Sequence, residues 1–261
     1  MPIVKVNKRE TKMFTLLIHG LWCDKNTMKS IDAQLALLGV STLIHEWPHR
    51  ETSAVKKLTL EEVEKDLFQV TVENQINTII GFSAGGYLAQ RLIASISDPR
   101  LMILLASAPS PGIKKSFTSD TLIACSKPRY TLPLLTRRSV IDLTRQDTVR
   151  LLDQTGQYHF VPESPEIVGR FAWPLYGKLL KPVAAIPPEC AVAVIHGTND
   201  NIVPWHASEQ LVTRYNLTSS NCAFPHTDHM GVLGNIETRW MIEKIIREVG
   251  IHKPASRELV H

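Results

Sequence analysis

Three residues scattered along a chain of 261 could together activate a nucleophile. Ser83 sits in Gly81-Phe82-Ser83-Ala84-Gly85, Asp200 in "AVAVIHGTNDNIVP", and His229 in "NCAFPHTDHMGVLGN". A serine hydroxyl attacks a carbonyl carbon only when a base takes its proton, and the base needs a carboxylate to orient it. Each of the three follows a strand-like run, and their order, serine then acid then histidine, suits a G-x-S-x-G elbow. Taken singly, the pentapeptide could be a Gly-Ser connection, Asp200 a turn residue and His229 a surface histidine. Their coincidence in order and position favours chemistry. His226 competes with His229 for the role of base, and His229 is preferred because it lies further into the loop. His226, Asp228 and His229 are also metal-ligating types, but no second ligand cluster lies near them in sequence, so neither metal nor cofactor is expected.

An elbow of this kind places constraints on its neighbours. The serine occupies a strained turn crowded by adjacent chain, and flanking glycines remove Cβ atoms that would clash. The following helix directs its first amides at the reacting centre, where negative charge develops. The N–H of Ala84 is one expected donor to an oxyanion. The other belongs in "HGLWCD", with Leu21 preferred and Trp22 the alternative. Trp22 and Phe82 are candidate pocket walls, although an aromatic at either place could equally be packing.

The elements that must position these residues alternate. "FTLLIHG" (14–20), "VSTLIHEW" (40–47), "INTIIGF" (76–82), "LMILLASAP" (101–109), "AVAVIHG" (191–197) and "NCAFP" (221–225) read as strands. Between them Met28, Ile31, Leu35 and Leu38 share a helical face, and Thr59 with Glu62 forms a capping-box pattern at the head of "TLEEVEKDLFQVTVE". Further helices are expected in "AGGYLAQRLIASI", "HASEQLVTRY", opened by Pro204, and "RWMIEKIIREVG". Strands separated by helices imply a mostly parallel sheet flanked by helices, an α/β architecture.

The alternation breaks between Ser110 and Pro188, where helical pieces and prolines carry no convincing strand. The expected organisation is a core of residues 1–109 and 189–261 with a helical cap over 110–188. Leu132, Leu134, Phe171, Trp173 and Tyr176 are candidates to line a pocket from that cap, with a small core of the cap's own as the competing role.

Composition excludes several classes. With 44% hydrophobic and 21% charged residues and a net charge of +4, the chain suits a globular domain. Its basic residues cluster only in pairs, which argues against a nucleic-acid partner. Cys23, Cys125, Cys190 and Cys222 form no C-x-x-C and read as reduced thiols. "MPIVKVNKRETK" lacks the apolar core of a signal peptide, and no apolar run is long enough to cross a bilayer. A cytoplasmic location is the simplest expectation, with the sequon Asn216-Leu217-Thr218 unglycosylated.

In "LLIHGLW", "GFSAGG", "IHGTNDNIVP" and "HTDHMGV", taken in this order, the chain resembles the α/β-hydrolase superfamily over nearly its whole length. The resemblance implies a central sheet with a helical cap at 110–188. It also implies a serine hydrolase with Ser83 as nucleophile, His229 as base, Asp200 as orienting acid, and the Leu21 and Ala84 amides as oxyanion donors. No cofactor is implied, and the expected substrate is a small carboxylic ester or thioester. Carbon–carbon bond hydrolysis, acyl transfer or cyclisation on the same residues, and ligand binding without turnover, are the alternatives. Two departures are visible: Phe82 stands where related enzymes often carry histidine, and "HEWPHRE" lacks the usual Asp-x-x-Gly-x-Gly turn.

Overall fold

A computed structural model describes residues 13–49, 53–111, 156–172 and 180–249. The apolar runs become six parallel strands: β1 (Phe14–Ile18), β2 (Ser41–His45), β3 (Thr78–Phe82), β4 (Leu101–Leu105), β5 (Ala191–Ile195) and β6 (Cys222–Ala223). Their order across the sheet is β2-β1-β3-β4-β5-β6. The chain therefore moves outward from β1 to β2, then returns to the other side of β1 for β3. That reversal opens a crevice at the carboxyl ends of β1 and β3, the place where open parallel sheets hold their sites.

The central strands β3 and β4 are buried along their whole length, so both faces need cover. Successive residues alternate between two cores. Ile79, Met102, Leu104, Val192 and Val194 meet α2 (Leu60–Glu73), α3 (Ala84–Ile93) and α5 (Trp205–Arg214) on one face. Ile80, Phe82, Ile103, Leu105, Ala193 and Ile195 meet α1 (Lys29–Leu37) and α6 (Ile236–Glu248) on the other. The expected apolar face of the first helix is seen: Met28, Ile31 and Leu35 are fully buried and Leu38 packs at the margin. The head of α2 carries the expected capping box, with Thr59 Oγ1 accepting the Glu62 N–H at 3.2 Å and Glu62 Oε2 accepting the Thr59 N–H at 2.8 Å. Among the described residues, no helix is long and apolar enough to cross a membrane.

Two boundaries differ from expectation. The last strand is only two residues long rather than five, because Pro225 has no N–H to give to a ladder, although its carbonyl still accepts the Thr198 N–H at 2.9 Å. The final helix starts three residues early, since the Asn235 side chain accepts the Glu237 N–H at 2.8 Å and caps it.

Between β4 and β5 the described part of the connection contributes α4 (Pro165–Ala172) and its flanks; residues 112–155 and 173–179 of the expected cap, with Trp173, lie outside the described residues. Helix α4 is docked onto α2 and α3. Glu166 Oε2 accepts the Leu60 N–H at 3.1 Å, and the Arg170 guanidinium grips both Glu61 oxygens at 2.8 and 3.0 Å while also pairing with Glu166. Tyr87 of α3 meets Phe171 edge-on at 5.4 Å and donates its hydroxyl to the Lys181 carbonyl at 3.1 Å. Burial pushes that phenol up to about 12, so it stays a neutral donor at any ordinary pH. Tyr87→Phe keeps the ring contact and loses only the hydrogen bond. It is expected to cost about 1 kcal/mol, or roughly 2–4 °C in Tm by thermal denaturation.

Candidate active site

Ser83 follows directly on β3 and precedes α3, and its backbone is left-handed with φ 55° and ψ −121°. A non-glycine residue holds such a conformation only when its surroundings impose it. Here the Ser83 N–H donates to the Leu105 carbonyl at 2.9 Å. Its own carbonyl accepts the N–H groups of Gly86 at 2.9 Å and Ala108 at 2.8 Å. The flanking glycines are required by space. A Cβ on Gly81 would lie 2.4 Å from the Gly85 carbonyl oxygen, and one on Gly85 would lie 2.3 Å from that of Ile18. The packing that bends the chain at Ser83 thus excludes any side chain beside it.

The loops beyond β5 and β6 bring two partners to this hydroxyl. His229 Nε2 lies 2.9 Å from Ser83 Oγ, and His229 Nδ1 lies 2.6 Å from Asp200 Oδ2. Because Asp200 is a carboxylate acceptor, the ring carries its proton on Nδ1 and offers Nε2 as acceptor to the serine hydroxyl. All three side chains are buried, with exposures of 8% for Ser83 and 4% for each of the others. Asp200 Oδ1 accepts the N–H groups of Ile202 and Val203, both at 2.8 Å. Burial works against the charge on Asp200, but His229 and the neighbouring His196 outweigh it and hold the carboxyl well below the usual carboxylate range.

His226, the competing histidine, is turned elsewhere. It is exposed, and its ring nitrogens meet Thr198 Oγ1 at 3.2 Å and Asn199 Nδ2 at 3.0 Å. Asp228 accepts the Gly231 N–H at 2.6 Å and shapes the turn after His229. Phe82 is fully buried and lies against the His229 ring, with centroids 4.9 Å apart and planes inclined by 41°. It packs behind the imidazole, the second of the two roles open to it from sequence.

The loop after β1 forms the opposite wall. A Cβ on Gly20 would lie 2.7 Å from Ser83 Cβ, so this loop passes directly beside the hydroxyl. Trp22, 8% exposed, has a left-handed backbone with φ 59°, and its N–H donates to Glu163 Oε2 at 3.2 Å. Among the described residues nothing accepts from the Leu21 N–H or from the N–H of Ala84, which is the first residue of α3 and has no intrahelical partner.

Three features were not apparent from sequence. His196 is fully buried, with Nε2 2.8 Å from the Val203 carbonyl oxygen and 3.1 Å from Asp200 Oδ2, while Ser208 Oγ donates to its Nδ1 at 2.5 Å. The His-Gly pair common to "IHGLW" and "IHGTND" was the available signal, since both histidines sit at strand ends and both are fully buried. His19 lies 3.1 Å from Glu46 Oε1 and stacks on Trp47 at 4.9 Å, and Glu46 Oε2 accepts the Lys25 N–H at 3.0 Å. Glu163 is the third, and its 141-residue separation from Trp22 leaves no pattern to read.

A parallel sheet with this strand order, and a left-handed serine joined through histidine to a buried carboxylate at the carboxyl ends of its strands, define a class. A sequence model described as the alpha/beta hydrolase family matches residues 15–237. The chain belongs to the α/β hydrolase family, and that membership supports hydrolase activity on a small molecule. No curated protein matches it. Among solved structures it is similar to a thermophilic esterase from Thermogutta terrifontis, with a TM-score of 0.66 and 18% identity over 92% of this chain and 91% of that one. A pyrethroid hydrolase from Sphingobium faniae gives 0.61 and 15%, over 92% and 98%. A monoacylglycerol lipase from Paleococcus ferrophilus gives 0.57 and 17%, over 92% and 95%. At such identities the likeness is one of fold.

Proposed function

We propose that the chain is a serine hydrolase of carboxylic esters or thioesters that works through an acyl-enzyme. The observation that carries this reading is the continuous hydrogen-bonded path from Ser83 Oγ through the His229 ring to Asp200, at 2.9 and 2.6 Å. Ser83 Oγ attacks the acyl carbon as His229 Nε2 takes its proton, and Asp200 stabilises the resulting imidazolium. The oxyanion of the tetrahedral intermediate accepts from the N–H groups of Leu21 and Ala84. Each such donor is worth on the order of 10²–10³ in turnover. His229 then gives its proton to the leaving alcohol or thiol as the carbon–oxygen or carbon–sulfur bond breaks. In the second half a water, deprotonated by His229, releases the acid and returns the serine.

Phe82, which packs on the His229 ring, belongs with Trp22, Phe160 and Met230 to one buried apolar cluster, and this supports a preference for an apolar acyl or alkyl group. A panel of p-nitrophenyl esters of graded chain length tests both statements. A burst of nitrophenol and a kcat/KM rising with acyl length are expected. Fastest turnover of short polar esters would overturn the preference, and no burst with any ester or thioester would overturn the reaction.

A further inference from the structure

The loop that lies beside Ser83 is held from far along the chain, by residues that are 139 and 141 positions away. Trp22 occupies a backbone region unfavourable to a bulky side chain, with φ 59°, so something must impose it. Both of its backbone polar groups are taken by a single stretch of the β4–β5 connection. The Val161 N–H donates to the Trp22 carbonyl at 2.8 Å, and the Trp22 N–H donates to Glu163 Oε2 at 3.2 Å. The two peptide planes that flank Trp22 are therefore both fixed.

Glu163 is itself only 1% exposed. Its second oxygen accepts the N–H of Ser164 at 2.9 Å, and Ser164 Oγ donates to the Leu58 carbonyl at 2.5 Å. Immediately afterwards α4 begins, with Ile167 and Val168 in the two cores. The carboxylate thus reaches the loop from chain that is anchored to the body of the protein. Burying a carboxylate is costly, and glutamate is seldom found so deep without a partner that needs it.

We propose that Glu163 is a positioning residue for the oxyanion site. By holding the Trp22 N–H it fixes the left-handed turn and removes that amide from competition, leaving the Leu21 N–H as the donor beside Ser83. Val161 completes the clamp from the carbonyl side. The inference deepens the serine-hydrolase reading and rests on it.

The test compares the full chain with Glu163→Gln, using p-nitrophenyl butyrate turnover, the rate at which a fluorophosphonate labels Ser83, and inhibition by a trifluoromethyl ketone. Glutamine keeps the size of the side chain but has one acceptor oxygen for two amides, so the clamp loosens. The expected result is a loss of about 10- to 100-fold in kcat and in labelling rate, because a displaced donor costs less than a deleted one. KM should stay within about twofold, and ketone affinity should fall by the same factor as kcat, as for an interaction made only in the transition state. Val161→Pro, which removes the other half of the clamp without touching a carboxylate, should show the same split. Glu166→Gln, whose carboxylate accepts the Leu60 N–H instead, should lower Tm and leave kcat unchanged.

Unchanged kcat in folded Glu163→Gln, or a change confined to KM, overturns the proposal. Failure of both clamp variants to fold also overturns it, since the contacts would then be purely structural. A wild-type chain that fluorophosphonate leaves unlabelled defeats the serine reading itself. A labelled wild type matched in rate by Glu163→Gln defeats only this inference.

Discussion

Ser83→Ala is expected to lower kcat for any ester substrate by about a million-fold while leaving Tm within a degree or two. The expected loss is large because Ser83 Oγ is the atom that faces His229 Nε2, at 2.9 Å. The stability should survive because the elbow is built from backbone. The Ser83 N–H donates to Leu105, and the Ser83 carbonyl accepts from Gly86 and Ala108, whichever small side chain stands there. Alanine meets the same left-handed φ of 55° as serine does, so the strain does not change sign. His229→Ala should cost as much as Ser83→Ala, and the double variant little more than either, the result expected of two residues acting as one unit. The residual rate in each should still exceed hydrolysis in water by about 10³–10⁴, supplied by the amides and by binding. Stopped-flow release of nitrophenol and mass spectrometry of the fluorophosphonate adduct measure the two halves separately. A Ser83→Ala protein that keeps its burst would remove Ser83 from the chemistry.

The second large effect concerns Asp200, where Asp200→Asn is expected to reduce kcat by about 10⁴. The carboxylate makes two kinds of contact. Oδ1 accepts the amides of Ile202 and Val203, while Oδ2 faces His229 Nδ1 at 2.6 Å and His196 Nε2 at 3.1 Å. An asparagine has only one oxygen to distribute. If that oxygen keeps the backbone amides, the NH2 group confronts both rings. His229 must then accept on Nδ1 and carry its proton on Nε2, the tautomer that cannot take a proton from Ser83. If the oxygen turns to the rings, two buried N–H groups lose their acceptor. Either outcome disables the base or loosens the turn, and the KM of a substrate that does not touch Asp200 should hardly move.

Stability should follow pH in a way that identifies the same group. Asp200 has its carboxyl depressed in the folded state, so its charge stabilises the fold at every pH above its unfolded value, near 4. That contribution begins to shrink only below about pH 4 and vanishes once the pH falls through the lower folded value. Wild type should therefore exceed Asp200→Asn in stability near pH 5, with the gap closing in stronger acid. Urea titrations at several pH values would show it, and a gap that widened toward acid would contradict the assignment.

The strands and helices were legible because each is encoded locally. The apolar runs ending at Ile18, Phe82, Leu105 and Ile195 are buried strands, and Thr59 with Glu62 marks the start of α2 before any tertiary contact is considered. Ser83, Asp200 and His229 could be picked out for the same reason, since each lies just beyond such a run, and the structure brings them within hydrogen-bonding reach of one another. The choice between His226 and His229 was a matter of three residues in one loop, and only the path of the chain separates them. What could not be read is the bracing. His19 with Glu46, His196 with Asp200, and above all Glu163 with Trp22 join positions whose spacing follows neither the helix nor the strand repeat. Such contacts are set by how distant loops meet, and a single sequence carries no periodicity for them.

At two residues, β6 is the shortest of the described strands, the other five having five residues each. Cys222 and Ala223 pair with β5 at the edge of the sheet, and beyond them the Pro225 and Thr227 carbonyls accept the Thr198 and Asn199 N–H groups at 2.9 and 3.0 Å, so a few backbone bonds hold the chain that carries His229. Most of the sheet could zip together, with the serine elbow already bent, while the imidazole was still absent. Loosening of that edge would carry His229 away from Ser83 while the centre of the sheet stayed intact. Mild destabilisation would silence such an enzyme before it unfolded it, making turnover a more sensitive gauge of the edge of the sheet than any probe of its centre.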